Sequence, residues 1–324
     1  MAQKIPFKAI VDALLDDAAP FPARYLHRFS DLPPADLKLL FQIWPQVSSR
    51  RKQTLLEDLE ELAETDTLTC FDDLAYPLLT DPEANVRVLA IRLLWECEDA
   101  KLVQIYLKML REDEDTEVRA AAANALGLFV NLGELEKIHA AIQHKIEDQL
   151  LKVITSAEKT LVRRRALESL GYSSREEVIP FIEAAYHDKN PDWVVSALFA
   201  MGRSYDERWK KQVLSKLLDP SEDIRSEAVH AAGELEISSA RSVLLDLLED
   251  EEDLELRREI IWALSKIGGE GVRNRLEELL EVETDDDEAA FIEEAQDNLF
   301  LTEDMSRFDL FNVDPEQELH EDED

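Results

Sequence analysis

Arginines recur behind an apolar residue at Arg87, Arg119, Arg163, Arg225 and Arg257, and acids recur five residues before that apolar position at Asp81, Asp113, Asp188, Asp219 and Glu251. Guanidinium and carboxylate form strong paired hydrogen bonds when they meet in fixed geometry. Spacing this regular predicts a structural ladder, each Arg bonding an acid or a carbonyl in an adjacent turn. The alternative is a stripe that binds anions, interrupted at Val194 where the Arg is missing. A second row lies six residues after the same apolar position: Arg92, Asn124, Glu168, Phe199, His230 and Trp262. Phe199, His230 and Trp262 are the side chains of this row that could carry recognition. Arg164, Arg165 and Arg258 lie near them in helical projection, as does Trp95 in an earlier copy. Aromatic rings and Arg supply most binding hot spots; the competing reading is packing between neighbouring elements.

Other chemistry finds little support. The six histidines stand at 27, 139, 144, 187, 230 and 320. His139 and His144 are five apart and share no helix face. A metal centre needs several converging ligands on rigid positions, and the sequence contains no CxxC, HExxH, GxSxG or glycine-rich phosphate loop. No catalytic residue, metal or cofactor is expected from the residues alone.

The elements that position these residues follow from their period. The apolar residues before the Arg fall at Val86, Val118, Val162, Trp193, Ile224 and Leu256, with steps of 32, 44, 31, 31 and 32. Weaker copies surround Arg51 (Leu55, Leu56, Leu59) and Glu288 (Ile292, Ala295, Leu299), giving about eight units. Within each, the residues four and eight further on are apolar, notably Ala90, Ala122, Ala166, Ala197 and Ala228. Steps of four stay on one helix face, and Ala lets a second helix approach. A partner helix precedes each, as in Val178, Ile179, Ile182 and Ala185, or Val243, Leu244, Leu247 and Leu248. The long step predicts an extended helix or loop around 133–160. Gly127, Gly171, Gly202 and Gly233 are expected as left-handed C-terminal caps. Asp-Pro at 81–82 and 219–220 is expected to cap and open the second helix. Fixed-period repetition of paired helices means stacking.

The phrase D-P-x-x-x-V-R-x-x-A-x-x-A-L-G resembles the short HEAT-like repeat named after phycobilisome lyases, over roughly residues 46–300. The whole chain is similar to uncharacterised bacterial HEAT-repeat proteins, a likeness that supplies no activity. The resemblance implies an all-α fold, a right-handed α-solenoid (α-α superhelix) of about eight HEAT-like helix pairs. It also implies that second helices line the concave side, placing Phe199, His230 and Trp262 in a row on the inner wall. Some HEAT-like proteins are di-iron hydroxylases with His-Glu dipeptides on successive repeats. Here the single His-Glu, His320-Glu321, lies in the C-terminal acidic stretch, and His230 precedes Ala231, which argues against that activity.

Composition bounds the partner. The 324 residues carry a net charge of −36, and 1–280 alone are net −18. Nucleic acid needs a concentrated basic surface, and only Arg163–Arg165 and Arg50–Lys52 offer one. Anionic membranes are disfavoured for the same reason, and no stretch is long enough to span a bilayer. Basic proteins or peptides would be steered in. Cys70 and Cys97 imply no disulfide framework, and the start of the chain has no export signal, so a cytoplasmic location is expected.

Three regions are expected: an N-terminal helical cap (1–45) applying Phe21, Tyr25, Leu26 and Phe29 to the first repeat, the array (46–300), and an acidic disordered tail (301–324). Phe308, Leu310 and Phe311 in that tail are either part of a solubilising segment or a docking segment for a basic or apolar groove. The expected function is a non-enzymatic scaffold that binds a protein or peptide in its concave groove. The alternative, which the repeat family offers, is a phycobilin or chromophore lyase-like enzyme. A third reading is a regulatory subunit tethered through Phe308–Phe311. The identity of the partner and the oligomeric state are not encoded in any motif.

Overall fold

The computed structural model describes residues 6–309. Among the described residues the chain is helical, joined by short 3-10 turns, with no strand. One compact unit, Met1–Ser173, contains α1 (Phe7–Leu15), α2 (Pro34–Ile43), α3 (Ser49–Thr65), α4 (Asp72–Leu78), α5 (Ala84–Leu93), α6 (Lys101–Glu112), α7 (Thr116–Glu134), α8 (Ala140–Thr155) and α9 (Thr160–Leu170). The other, Ser174–Asp324, contains α10 (Ile179–Tyr186), α11 (Pro191–Arg203), α12 (Lys210–Leu214), α13 (Glu222–Glu234), α14 (Arg241–Asp250), α15 (Leu254–Ile267), α16 (Val272–Val282) and α17 (Asp286–Asp309).

The fold is an all-α solenoid. In the first unit α4 pairs with α5, α6 with α7 and α8 with α9, while α3, α5, α7 and α9 pack in succession. In the second, α10/α11, α12/α13, α14/α15 and α16/α17 pair, and α11, α13, α15 and α17 pack in succession. The recurrent alanines explain the close stacking: Ala90, Ala122, Ala166, Ala197 and Ala228 all have 0% of their surface exposed. A larger side chain there would force the helices apart, because helix spacing follows the side chains at the contact. The 44-residue step is absorbed by long helices, 19 residues in α7 and 16 in α8.

The repeated acid makes a turn rather than a helix cap. Asp81 Oδ1 accepts the Glu83 N–H at 2.9 Å, Asp113 that of Asp115 at 3.0 Å, Asp188 that of Asn190 at 2.8 Å and Asp219 that of Ser221 at 3.0 Å. A side chain that bonds the backbone two residues on builds a local turn. Pro82 and Pro220 therefore lie ahead of the N-caps Glu83 and Ser221, outside the first helical turn where they were expected.

The glycines also differ from expectation. Gly127, Gly202 and Gly233 lie inside α7, α11 and α13, and Gly171 ends α9 with a right-handed φ of −53°. The left-handed residues after these helices are Glu136, Tyr205 and Glu236. After α13, Glu236 N–H bonds Gly233 O and Ile237 N–H bonds Ala232 O, both at 3.0 Å, the pattern of a Schellman cap. Gly233 serves the crossing of α13 and α15: a Cβ there would lie 2.8 Å from Ala263 Cα.

From the first turn of α3, the Arg51 guanidinium donates to Asp16 O at 2.7 Å and Ala19 O at 2.5 Å, and its carbon lies 6.0 Å from the Phe21 ring centre. Phe29 is buried against Phe7, ring centres 6.2 Å apart, and Phe21 meets both Tyr25 and Phe29. At the other end α17 runs to Asp309, so residues 301–309 are helical where a disordered tail was expected. Arg273 holds Glu303 at 2.5 Å, and Leu299, Thr302 and Glu303 border Gly268, which extends the packing past Thr302. Phe308 falls within α17; Leu310 and Phe311 lie outside the described residues. No described helix is long and apolar enough to cross a membrane.

Candidate binding face

In the second unit, α11, α13, α15 and α17 each add side chains to one connected polar-aromatic row. Phe199 on α11 and His230 on α13 stack, ring centres 6.0 Å apart with 11° between their planes. The helix period places Arg203 four residues after Phe199, and its guanidinium carbon lies 4.0 Å from the Phe199 ring centre. His230 Nδ1 lies 2.7 Å from Glu259 Oε1 on α15. Glu234, one turn after His230, takes the Lys266 ammonium of α15 at 2.5 Å. Lys266 Nζ stands 5.9 Å from the Trp262 ring centre, and Trp262 meets Phe291 of α17 at 6.2 Å. Arg258 lies over Phe291 at 5.6 Å and pairs with Glu288. These contacts tie each second helix to the next while leaving Phe199, His230, Trp262 and Phe291 half-exposed.

Two electrostatic features follow. Burial disfavours the His230 imidazolium, but the Glu259 hydrogen bond and the charges of Glu227, Glu259 and Glu234 outweigh it and raise the His230 pKa above its ordinary value. The acids are also unevenly divided. Residues 174–324 hold 15 Lys and Arg against 43 Asp and Glu, net −28, while 1–173 are net −8. The row therefore lies in the strongly negative part of the chain, which attracts cationic partners at a distance.

Beside Trp262 the row opens into a cleft of about 310 Å³ lined by Arg258, Glu259, Trp262, Phe291 and Glu294. A second hollow of about 220 Å³ lies by Glu183, Tyr186, Met201, Trp209 and Gln212. Among the described residues no three His, Cys, Asp or Glu side chains group as a metal site requires.

The remaining candidates for the binding face, Trp95, Arg164 and Arg165, belong to the first unit. Trp95, 55% exposed, follows the C-cap of α5. Arg165 pairs with buried Glu168 at 2.6 Å on its own helix, and Arg164 is also engaged by neighbouring groups. The recurrent arginines staple the turns. Arg87 donates to Asp81 O at 2.9 Å, Arg119 to Asp113 O at 2.8 Å, Arg225 to Asp219 O at 3.0 Å and Arg163 to Ile154 O at 2.8 Å. Arg87 and Arg119 also reach forward with two bonds each, to Asp113 at 2.7 and 2.9 Å and to Glu158 at 3.0 Å. Arg257 stands 3.9 Å from Glu283. Asp81 additionally accepts the buried Trp44 Nε1–H at 2.8 Å. The row's members Arg203, Glu259, Lys266 and Phe291 were not singled out by the sequence. Arg203 sits one turn past Phe199, which is a legible signal. Phe291 escapes the six-residue rule because it stands three residues after Glu288, where six residues lead to Glu294.

Residues 72–147 and 211–295 match the model of HEAT repeats, so the chain carries HEAT repeats over both stretches. It is 28% identical to the regulatory A-subunit of protein phosphatase PP2A from Saccharomyces cerevisiae over 158 residues, 44% of this chain and 23% of that protein. Similar solved structures include YibA of Escherichia coli, with 21% identity, a TM-score of 0.43 and coverage of 88% of this chain and 98% of that one. The complex of CpcE and CpcF of phycocyanin lyase from Nostoc sp. is similar with 20% identity, a TM-score of 0.47 and coverage of 70% and 94%. The chain thus matches about a quarter of the length of its yeast relative, and none of these likenesses assigns an activity.

Proposed function

We propose that the protein is a non-enzymatic scaffold that binds a protein or peptide along the face built by α11, α13, α15 and α17. The observation that supports this most is the row itself. Four stacked helices each offer a half-exposed aromatic or imidazole ring, held in place by ion pairs to the next helix. Rings and guanidinium groups fixed in this way lose little side-chain entropy when a partner arrives. An extended or helical partner would meet several at once. The net charge of −28 over residues 174–324, the part of the sequence that carries the row, favours a basic partner. The recurrent Arg–Asp ladder serves the fold, because its guanidinium groups are already committed to carbonyls and carboxylates.

The test places a photocrosslinking residue at Phe199, and separately at the exposed Leu68 of the first unit as a control. Crosslinking to one specific protein from position 199 but not 68, with that protein lost from affinity purification after Phe199→Ala plus Trp262→Ala, is the expected result. Recovery untouched by the double substitution would remove this face from the assignment. A shifted absorption band on mixing with a bilin, with no such protein recovered, would support the chromophore-lyase alternative instead.

A further inference from the structure

We propose that the cleft between α15 and α17 receives a lysine or arginine side chain of a basic peptide; this deepens the reading of the row as a binding face and rests on it. Two aromatic rings, Trp262 and Phe291, stand 6.2 Å apart and 36° from parallel, so they form an open wedge. Carboxylates of Glu259 and Glu294 line the same cleft. A ring face with a carboxylate at its rim is what binds an ammonium or guanidinium group, through the ring quadrupole and a charge-assisted hydrogen bond together.

The chain itself demonstrates the chemistry. Phe291 already has Arg258 at 5.6 Å, and Trp262 has Lys266 at 5.9 Å. Each of these resident cations is matched by its own acid, Arg258 by Glu288 and Lys266 by Glu234. Glu294 is thus the carboxylate that the cleft can offer to a further cation. Glu294 is exposed, and Glu259 is shared with His230. At about 310 Å³ the cleft is at the small end of ligand cavities, sized for one long side chain rather than a large cofactor. The described residues of this unit, 174–309, carry a net charge of −21, which steers basic segments to it.

A fluorescently labelled hexalysine peptide, titrated by anisotropy onto the full chain at physiological salt, reads this directly. Trp262→Leu and Glu294→Gln should each weaken binding about fivefold, in keeping with one cation–ring contact or one charge-assisted bond. Glu270→Gln, which removes an equal charge from an exposed loop of the same unit, should leave it unchanged. Equal affinity for wild type and both cleft variants, or an equal loss with Glu270→Gln, would overturn the proposal by showing attraction to the general field alone. Glu294→Gln changes an exposed side chain, so its result is independent of any loss of folding at Trp262. A specific crosslink from position 199 alongside an indifferent hexalysine titration would leave the face standing and remove the cleft. A cleft-dependent titration without that crosslink would do the reverse.

Discussion

Arg87 clasps Asp113 with two parallel bonds, Nη2 to Oδ1 at 2.7 Å and Nε to Oδ2 at 2.9 Å, and thereby joins the turn before α5 to the turn before α7. Its third nitrogen holds Asp81 O, so one side chain fixes two successive repeats. Both partners are mostly buried, with side chains 15% and 11% exposed. Burial alone would raise the Asp113 pKa, but the Arg87 bonds, the Asp115 N–H and the charges of Arg87 and Arg119 hold it below the usual carboxylate value.

Arg87→Ala is therefore expected to cost about 3 kcal/mol, because it leaves Asp113 ionised and half-desolvated. Arg87→Lys should restore only part, since an ammonium cannot make the paired bonds. A double-mutant cycle with Asp113→Asn, read by denaturant unfolding, checks the coupling. The depressed Asp113 pKa contributes stability above the ordinary carboxylate pKa that disappears as pH falls through the folded value. The gap between wild type and Arg87→Ala should accordingly narrow in acid.

Gly233→Ala should destabilise the second unit although Ala is the better helix former. The added Cβ would meet Ala263 Cα at 2.8 Å and Cβ at 3.0 Å, and neither backbone can yield without separating α13 from α15. Overpacking of this kind costs about 1–3 kcal/mol, more than the roughly 1 kcal/mol gained in helix propensity. A raised melting temperature in the Ala variant would contradict this account of the crossing.

The stacking of helices was legible because burial recurs with the repeat: an Ala such as Ala122 or Ala228 has one role in every copy. The glycines were misread for a physical reason. Gly233 at a helix crossing and a glycine at a left-handed cap look alike in sequence, and only the packing shows that the crossing needs the missing Cβ while Glu236 takes the strained φ. The stack of Phe199 on His230 followed from a shared position in adjacent copies. Its acidic partners did not, since Asp and Glu number 72 of 324 residues and no spacing singles out Glu259. Phe291 was missed because it stands three residues after Glu288, at an offset the row of Phe199, His230 and Trp262 does not use.

Glu236→Gly should stabilise the chain. Glu236 adopts φ 47° at the end of α13, where a side chain crowds the following carbonyl. Glycine there avoids that penalty, and after its larger unfolded-state entropy is subtracted the gain is about 0.5–1 kcal/mol. Glu236→Ala keeps the Cβ and should gain nothing. Paired melting curves of the two variants separate relief of backbone strain from the loss of one negative charge.

His230 gives the face a pH dependence. Its pKa is raised above 6.5, although burial opposes the charge, because Glu259 bonds it and Glu227 and Glu234 lie nearby. A raised folded pKa means that the contribution of the imidazolium is complete below about 6.5, the unfolded value, and is lost as pH climbs through the folded one. The melting temperature of wild type minus that of His230→Gln should thus be largest on the acid side and shrink as the solution becomes alkaline. Glu259→Gln should lower the His230 pKa as read from its ring proton resonances, because it removes the carboxylate bonded to Nδ1. A His230 resonance titrating at the same pH in both proteins would show that Glu259 does not set its charge.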